Sequence, residues 1–254
     1  MSSPAVNPAE STSSADVEHV VDLVKQSGVA VLRGAFGADE LAAARRTVEA
    51  HTGLMKNTRP NPSAMHLAGF HRFPALEPLH QLITGNRATR EIITRLLGAD
   101  HRTIGLSDIT INRSQQWHKD LLRGRFSHHI GDEHSCERDH GKVFKVIAYL
   151  QDSSSLHFVP GSHRHDISLE SDLFAIPDED AAVTRVETQL GDAVIIDICT
   201  THRGSPEEAF QSALAEQQQR ILVSTVFGGA DCDFTRRMEL GNAERLSVWP
   251  HPHR

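Results

Sequence analysis

The segment LGDAVIIDICTTHRGS, residues 190–205, says most about the fold of this chain. Gly191-Asp192 is a turn signal, and the apolar run after it has the alternation of a strand. A period of two places five of its residues on one face: Val194, Ile196, Ile198, Thr200 and His202. The pattern predicts a strand whose inner face is apolar and ends in a histidine at the mouth of a barrel. The alternative is a structural histidine at a strand end.

Around this segment the chain predicts several more short strands, separated by turn residues. Before residue 100, helices are predicted from about 17 to 28, from 39 to 51 and up to Gly98, with a strand at Val29–Leu32 and an irregular connection over 52–78. Helices first and strands later predict a β-sandwich or barrel with helices packed outside it. The other candidate strands are 101–112, 143–150, 156–159, 183–189 and 220–227.

Length and composition fit one soluble domain with a sizeable core. The chain has 254 residues, 39% hydrophobic and 23% charged, and a formal net charge of −7, which argues against a general nucleic-acid binder. Residues 1–15 predict a disordered tail without the pattern of a secretory signal, ahead of a single domain over 16–254. The sequence has no run of about 18 apolar residues, so no membrane span is predicted. Without a secretory signal, the cytoplasm is the expected location. The oligomeric state is left open.

The three cysteines are odd in number and widely spaced. Cys136, Cys199 and Cys232 form no CxxC pair, so the sequence supports neither a disulfide framework nor a zinc ribbon. The 17 histidines are the more unusual feature, although most surface histidines neither bind metals nor move protons.

The motif Trp117-His118-Lys119-Asp120 is the local candidate for metal binding. On an extended segment His118 and Asp120 point to the same face, and an imidazole with a carboxylate suits a metal such as iron(II). Chance alone predicts roughly two His-x-Asp/Glu triplets in a chain of this composition, so the triplet by itself is weak. Arg220 opens an apolar strand; it is either a solvated edge residue or a bidentate partner for a carboxylate.

Taken in order, these motifs resemble the phytanoyl-CoA dioxygenase family. The order is His118-x-Asp120, then a Pro-Gly-Ser-His turn within LHFVPGSHR (residues 156–164), then Gly-Asp with the distal His202, then Arg220. The start GVAVLRG, residues 28–34, is also similar to that family. The similarity runs from about residue 17 to 227, which is most of the chain.

The resemblance implies an α+β fold with a double-stranded β-helix, a cupin-like jelly-roll, and N-terminal helices outside it. It implies Fe(II) held by His118, Asp120 and His202, with 2-oxoglutarate and O2 as co-substrates at the remaining positions. The implied reaction oxidises a C–H bond of a small molecule and releases succinate and carbon dioxide, with ascorbate as the assay reductant. Halogenating relatives have a small residue where this chain has Asp120, so the resemblance favours a hydroxylase type.

The residues expected to bind 2-oxoglutarate depart from the usual spacing of the family. The resemblance assigns the distal carboxylate of 2-oxoglutarate to Arg220, eighteen residues after His202. We attribute this long spacing to an insertion at 207–219, with Arg203 as the other candidate. Leu222 stands where many relatives place a serine; Ser224, or alternatively Lys145 or Tyr149, is the expected substitute.

Four further segments contain histidines that need an interpretation. Residues 121–142, dense in charge and histidine, predict either a solvated loop or a lid; because apolar residues are few there, we expect no anchorage by core burial. A second metal site in this segment is not favoured, because His128-His129 fits no closed zinc pattern. Arg123 and Arg125 are the expected substrate contacts. The remaining histidine-containing segments are either structural or of open role: His66, Phe70, His71 and Arg72 near the pocket, His163 and His165 as structural residues, and His251 and His253 in a flexible tail.

Two alternative functions remain open at this point. One is a cupin-like hydrolase or isomerase that uses zinc or manganese without 2-oxoglutarate. The other is a non-catalytic jelly-roll binding module. An arginine anchor for a co-substrate carboxylate argues against the first, and a complete, ordered triad argues against the second.

Overall fold

A computed structural model describes residues 14–57, 63–131, 134–165, 169–170, 173–174, 182–205 and 219–249. Three sequence predictions lie outside these residues, wholly or nearly so: the N-terminal tail, the insertion at 207–219 and the C-terminal His251 and His253.

Helices occupy both ends of the described chain. Val17, Val20 and Val24 recur at helical spacing and are all buried, which is why the first helix packs by one face. The fourth helix begins after Asn86, whose side chain accepts a hydrogen bond from the Thr89 N–H, and ends at Gly98. The helices are α1 (Ser14–Ser27), α2 (Ala38–Ala50), α3 (Glu77–Thr84), α4 (Arg87–Leu97), α5 (Cys136–Asp139) and α6 (Asp233–Leu246). None of them combines the length and apolarity that crossing a bilayer needs.

The strands form two main antiparallel sheets and one small one. They are β1 (Val29–Leu32), β2 (Lys56–Asn57), β3 (Met65–Ala68), β4 (Arg102–Ile111), β5 (Val143–Tyr149), β6 (Ser153–Phe158), β7 (Leu169–Glu170), β8 (Leu173–Phe174), β9 (Thr184–Thr188), β10 (Ala193–Asp197), β11 (His202–Arg203) and β12 (Ile221–Gly228). The large sheet has the order β1-β10-β5-β12-β4-β3-β2, a second has β11-β6-β9, and β7 pairs with β8.

Alternation along the central strands separates two apolar layers. On β5, Phe144 and Val146 belong to the large cluster that the helices cover, whereas Ile147 and Tyr149 face the other way. That inner face packs against residues of the three-stranded sheet, including Phe158 of β6. Two facing sheets with helices on the outer side confirm the predicted α+β class and are consistent with a jelly-roll.

One prediction about residues 190–205 is wrong in detail. His202 does not continue the strand that begins at Ala193, because that strand ends at Asp197. The Asp197 carboxylate accepts hydrogen bonds from the main-chain N–H groups of Cys199 (2.9 Å) and Gly141 (2.6 Å). This turn carries the chain from the large sheet to the small one, where His202 pairs with Phe158.

The expectation that residues 121–142 have no buried anchors is also wrong. Leu122, Ile130 and Cys136 are buried, and they pack with Phe234 and Met238 of α6. The sequence analysis did not predict α6, and so it missed the partner that covers these side chains.

Candidate metal centre

Main-chain hydrogen bonds bring the three predicted ligands together. The N–H of His118 donates to the carbonyl of His202, the N–H of His202 donates to the carbonyl of His118, and both distances are 2.8 Å. The N–H of Asp120 donates to the carbonyl of Ile198 at 2.9 Å. The connection after β4 is therefore paired to the connection between β10 and β11, and the ligands of both meet at one point.

The ligand atoms converge at distances that suit one ion. One ligand atom from each of His118, Asp120 and His202 lies within 4.8 Å of the other two. His118 Nε2 is 3.4 Å from Asp120 Oδ1, and His202 Nε2 is 3.4 Å from Asp120 Oδ2. Adjacent ligands around an octahedral ion with bonds of about 2.1 Å are about 3 Å apart, so small side-chain movements would complete the site.

Hydrogen bonds at the other ring nitrogens set the tautomer of both histidines. His118 Nδ1 lies 2.6 Å from the carbonyl oxygen of Gln116, and His202 Nδ1 lies 2.9 Å from that of Thr200. A carbonyl only accepts, so each Nδ1 carries the hydrogen and each Nε2 keeps its lone pair toward Asp120. Burial lowers the pKa of His118 to about 3, which keeps this imidazole neutral and able to coordinate.

Lys145 gives the carboxylate of Asp120 a positive partner. Its Nζ lies 2.9 Å from Asp120 Oδ2, and both side chains are about 15% exposed. Burial alone would raise the pKa of Asp120, but Lys145 and His202 hold it well below its usual range. Asp120 is therefore ionised at neutral pH, as a metal ligand would need to be.

The Pro-Gly-Ser-His turn is hydrogen-bonded to the main chain next to His202. The Ser162 hydroxyl accepts a hydrogen bond from the main-chain N–H of Thr201 at 2.9 Å and donates to the carbonyl of Val159 at 2.7 Å. Lys119, which lies between two ligands, donates from Nζ to the carbonyls of Ser162 (2.7 Å) and Cys199. These bonds fix the main chain on both sides of the triad.

A cavity of about 310 Å³ opens beside Asp120. Its cationic wall consists of Arg113, Arg123, Lys145 and Arg245, of which Arg245 pairs with Asp108 at 3.0 Å. Its apolar wall consists of Leu106, Leu121, Leu122, Phe126, Leu222 and Val226. The lining also includes the carboxylates of Asp108 and Asp120, so the walls combine both charges with apolar surface, and the volume is at the lower end for small-molecule sites.

Of the predicted co-substrate residues, Ser224 lines this cavity and Arg220 does not. Arg220 donates from Nη1 to Ser155 Oγ at 2.6 Å and from Nη2 to the carbonyl of Arg113. The guanidinium of Arg203 instead lies 5.0 Å from the ring centre of Trp117.

Sequence analysis missed Arg113 and Thr110, which both line the cavity. Thr110 alternates along β4 with Ile109 and Ile111, which belong to the helix-covered core. Leu106, Asp108 and Thr110 share one face of β4 and all line the cavity, so polar residues recurring on alternate positions were the signal that could have identified this inner wall.

The other candidate residues lie around the site or away from it. His66 Nε2 is 3.4 Å from Asp108, a cavity residue. Phe70 lies in the helix-covered core, and His71 Nδ1 is 2.5 Å from Ser107 Oγ. Arg72, Arg125 and His163 contact, respectively, the carbonyl of Gly69, the ring of Phe126 and the carbonyl of Lys25.

Comparison with solved structures finds enzymes with a similar fold. The epimerase SnoN from nogalamycin biosynthesis, in complex with Fe3+, alpha ketoglutarate (2-oxoglutarate) and nogalamycin RO, is 17% identical, with a TM-score of 0.64 over 86% of this chain and 85% of that one. HygX from Streptomyces hygroscopicus, with nickel, 2-oxoglutarate and hygromycin B bound, is 15% identical, with a TM-score of 0.61 over 84% and 87%. The carbocyclase SnoK is 16% identical, with a TM-score of 0.58 over 90% and 88%.

This chain has the fold of non-haem, 2-oxoglutarate-dependent enzymes. At the level of the fold, the resemblance seen in the sequence is confirmed. No protein-family model matches the sequence, and no curated protein matches it significantly. Because the similar structures include an epimerase and a carbocyclase, the fold does not fix the reaction.

Proposed function

We propose that this protein is an Fe(II)- and 2-oxoglutarate-dependent oxygenase that oxidises a C–H bond of a small organic molecule. The observation that carries the proposal is the convergence of His118 Nε2, His202 Nε2 and one Asp120 oxygen within 4.8 Å. Two imidazoles and one carboxylate on one side of an ion are the donor set that non-haem Fe(II) oxygenases use, and they leave positions for a co-substrate and oxygen. Similar folds crystallised with Fe3+ or nickel and 2-oxoglutarate add independent support.

When bound, iron with 2-oxoglutarate and O2 would supply the oxidising power, with release of succinate and carbon dioxide. The chain's own residues would hold the three ligand side chains in place and orient them. The carbonyls of Gln116 and Thr200 keep both histidines in the coordinating tautomer. Lys145 holds the Asp120 carboxylate ionised and directs one of its oxygens.

We assign the distal carboxylate of 2-oxoglutarate to Arg220, with Ser224 as a supporting hydroxyl. The guanidinium of Arg220 contacts Ser155, which lies three residues along β6 from Phe158, the partner of His202. At about 3.3 Å per residue this is roughly 10 Å along the strand, a span that suits a five-carbon dicarboxylate reaching from the ion. A planar fork matches a carboxylate better than an ammonium does.

We favour hydroxylation over halogenation, because Asp120 supplies the third protein ligand and leaves no position for a halide. Desaturation, epoxidation, ring closure and epimerisation are alternatives that the same set of ligands can support. The substrate is proposed to be a small polar metabolite. The cavity of about 310 Å³ has both a cationic and an apolar wall, and the neighbours named above bind small molecules such as nogalamycin RO and hygromycin B.

The experiment measures succinate formed from 2-oxoglutarate under air, with Fe(II) and ascorbate, across a panel of small metabolites and natural-product glycosides. The proposal expects substrate-stimulated succinate formation that His202→Ala abolishes and that His19→Ala, on the exposed face of α1, retains. Turnover of a panel compound with zinc or manganese in the absence of 2-oxoglutarate would instead identify a metal-dependent hydrolase or isomerase.

A further inference from the structure

A second group of metal-binding side chains lies outside the cavity. The ligand atoms of His134, Cys136 and Cys199 all lie within 4.8 Å of one another. Both cysteines are buried, at 2% and 0% exposure, and none of the three residues lines the cavity beside Asp120. His134 and Cys136 lie between β4 and β5, and Cys199 lies in the turn that follows β10.

The distances suit a tetrahedral ion with sulfur ligands. His134 Nε2 lies 3.9 Å from Cys136 Sγ. Zinc bonds of about 2.3 Å to sulfur and about 2.0–2.1 Å to nitrogen, at a tetrahedral angle, place those two atoms about 3.6 Å apart. This pair of atoms is therefore within a few tenths of an ångström of coordinating geometry, and all three ligand atoms lie within 4.8 Å of one another.

The histidine has its second nitrogen occupied in the way that metal-binding histidines usually do. His134 Nδ1 lies 3.0 Å from Asp139 Oδ2, while Nε2 faces the thiols. The carboxylate accepts the Nδ1 hydrogen and leaves the Nε2 lone pair toward the cluster, the carboxylate–histidine–zinc arrangement. Lys142 holds the other oxygen of Asp139 at 3.1 Å.

The two thiols also contact each other. The thiol of Cys199 donates a hydrogen bond to Cys136, which lowers the pKa of Cys136, with a further contribution from His134. The same hydrogen bond and burial raise the pKa of Cys199. The three side chains therefore face one another at one point.

We propose that His134, Cys136 and Cys199 bind one zinc ion, at a site separate from His118, Asp120 and His202, with a water molecule at the fourth position. His134 is 13% exposed in its side chain, which gives that water access. Thiolate sulfur prefers zinc over hard ions, and one imidazole with two thiolates is a zinc donor set.

The ion would act as a cross-link between the two parts of the chain that carry the candidate iron ligands. Cys199 is three residues before His202, and its carbonyl accepts a hydrogen bond from Lys119, which lies between His118 and Asp120. Cys136 and His134 belong to the connection that follows Asp120. Binding would hold this connection against the turn that delivers His202.

The test uses the full chain, stripped of metal and reduced with a phosphine, with all three thiols counted before the titration. Cobalt(II) is then added without air. A thiolate-bound cobalt ion gives a sulfur-to-metal charge-transfer band, which a site of two histidines and one aspartate does not give. We expect one such band, which in the His202→Ala variant, with its candidate iron site disabled, saturates at one cobalt per chain. The band should be lost when zinc displaces cobalt, and zinc should raise the melting temperature.

Matched variants locate the site. Cys136→Ser and Cys199→Ser should each remove or strongly weaken the charge-transfer band, whereas Cys232→Ser, at the third and partly exposed cysteine, and His202→Ala should keep it. His134→Ala, at a partly exposed position, should keep the fold and weaken zinc affinity at least tenfold in a chelator competition. Absence of the band in the reduced wild-type chain, its survival in both serine variants, or a Cys136–Cys199 disulfide that the phosphine leaves intact would overturn the proposal.

Discussion

His118 and His202 exchange two main-chain hydrogen bonds of 2.8 Å and place their ring centres 4.3 Å apart. The two imidazoles are thus positioned by the backbone of two paired segments and not only by their own side-chain contacts. Each imidazole is further held by a hydrogen bond between its Nδ1 and one main-chain carbonyl. A site built in this way is preorganised, because few torsions remain to be fixed when an ion binds.

The first prediction is that His118→Ala or His202→Ala abolishes binding of one Fe(II) per chain. Removing one of three protein ligands should cost more than removing an outer hydrogen-bond partner, which typically weakens affinity 10–100-fold. Anaerobic titration measures this, with the exposed His19→Ala as the matched control. Unchanged affinity in both ligand variants would show that the ion binds elsewhere.

The second prediction concerns Lys145, whose Nζ is 2.9 Å from Asp120 Oδ2. In the metal-free protein Lys145 is the nearest positive charge to a largely buried carboxylate, so Lys145→Met should destabilise the fold by up to about 3 kcal/mol. A bound divalent ion supplies that charge instead, so the loss should be smaller in the metal-loaded protein. Denaturant unfolding of both proteins with and without manganese checks this, and equal losses in the two states would contradict it.

The third prediction assigns the co-substrate anchor. Arg220→Lys keeps the charge but loses the planar fork, so the apparent affinity for 2-oxoglutarate should fall by roughly tenfold or more while iron binding persists. Arg203→Ala should leave that affinity unchanged, because the Arg203 guanidinium stacks on Trp117. If Arg113→Lys weakens 2-oxoglutarate binding and Arg220→Lys does not, the cavity-lining arginine is the anchor.

The sequence predicted which residues form the candidate site, and their order along the chain, better than it predicted the strands that carry them. His118 and Asp120 converge because residues i and i+2 of an extended segment share a face, a local rule. The position of His202 in the smaller sheet depends on the turn at Asp197, whose two hydrogen-bond donors come from residues 141 and 199. The second donor is local, but the first is 56 residues away, and no periodicity reveals it.

The helix α6 was missed for a related reason. Its buried face mixes Phe234, Met238 and Leu246 with Thr235, Gly241 and Asn242, so its apolar residues are too sparse to give a clear helical stripe. Gly241 lets the helix approach closely, since a Cβ there would lie 2.1 Å from a methyl carbon of Leu122. The clustering of Cys136 and Cys199 was likewise invisible, because only the tertiary structure brings residues 63 positions apart together.

The fourth prediction concerns pH and the buried His66. Burial lowers its pKa to about 4, although Asp108 opposes this, whereas the ring in the unfolded chain has a pKa near 6.5. Between those values the unfolded chain binds a proton that the folded chain does not. The contribution of His66 to the free energy of unfolding therefore falls as pH decreases from about 6.5 to 4, by roughly 3 kcal/mol in all.

Denaturant unfolding of the metal-free protein at pH 7 and pH 5 measures this effect. His66→Gln should reduce the difference in unfolding free energy between the two pH values, whatever it does to stability at pH 7. The matched His19→Gln variant, at an exposed position, should leave the difference unchanged. An identical pH dependence in wild type and His66→Gln would show that His66 titrates normally.

The last prediction is that only the first half of the segment 121–142 acts as a lid. Leu121 and Phe126 line the cavity, and Gly124 and Gly131, both at positive φ, bound a short helical turn that is largely exposed. The second half is held differently, because Cys136 is buried against α6 and lies in the thiol cluster.

Of residues 121–129 only Leu122 is buried, and His129 pairs with Glu244 of α6 at 2.7 Å, so these are the contacts that opening must break. We expect motion to be confined to 121–129, since a segment with few buried contacts opens at little free-energy cost. Hydrogen exchange with and without manganese and 2-oxoglutarate, which bind without turnover, measures it: exchange at 121–129 should slow on binding, while residues 134–142 change little. A Phe126→Ala variant, which removes one of the lid's apolar contacts with the cavity, should lose part of that protection and keep metal affinity. Fast exchange at 121–129 that the ligands leave untouched would mean that this segment is a solvated loop, and uniform protection across 121–142 would mean that it closes as one unit.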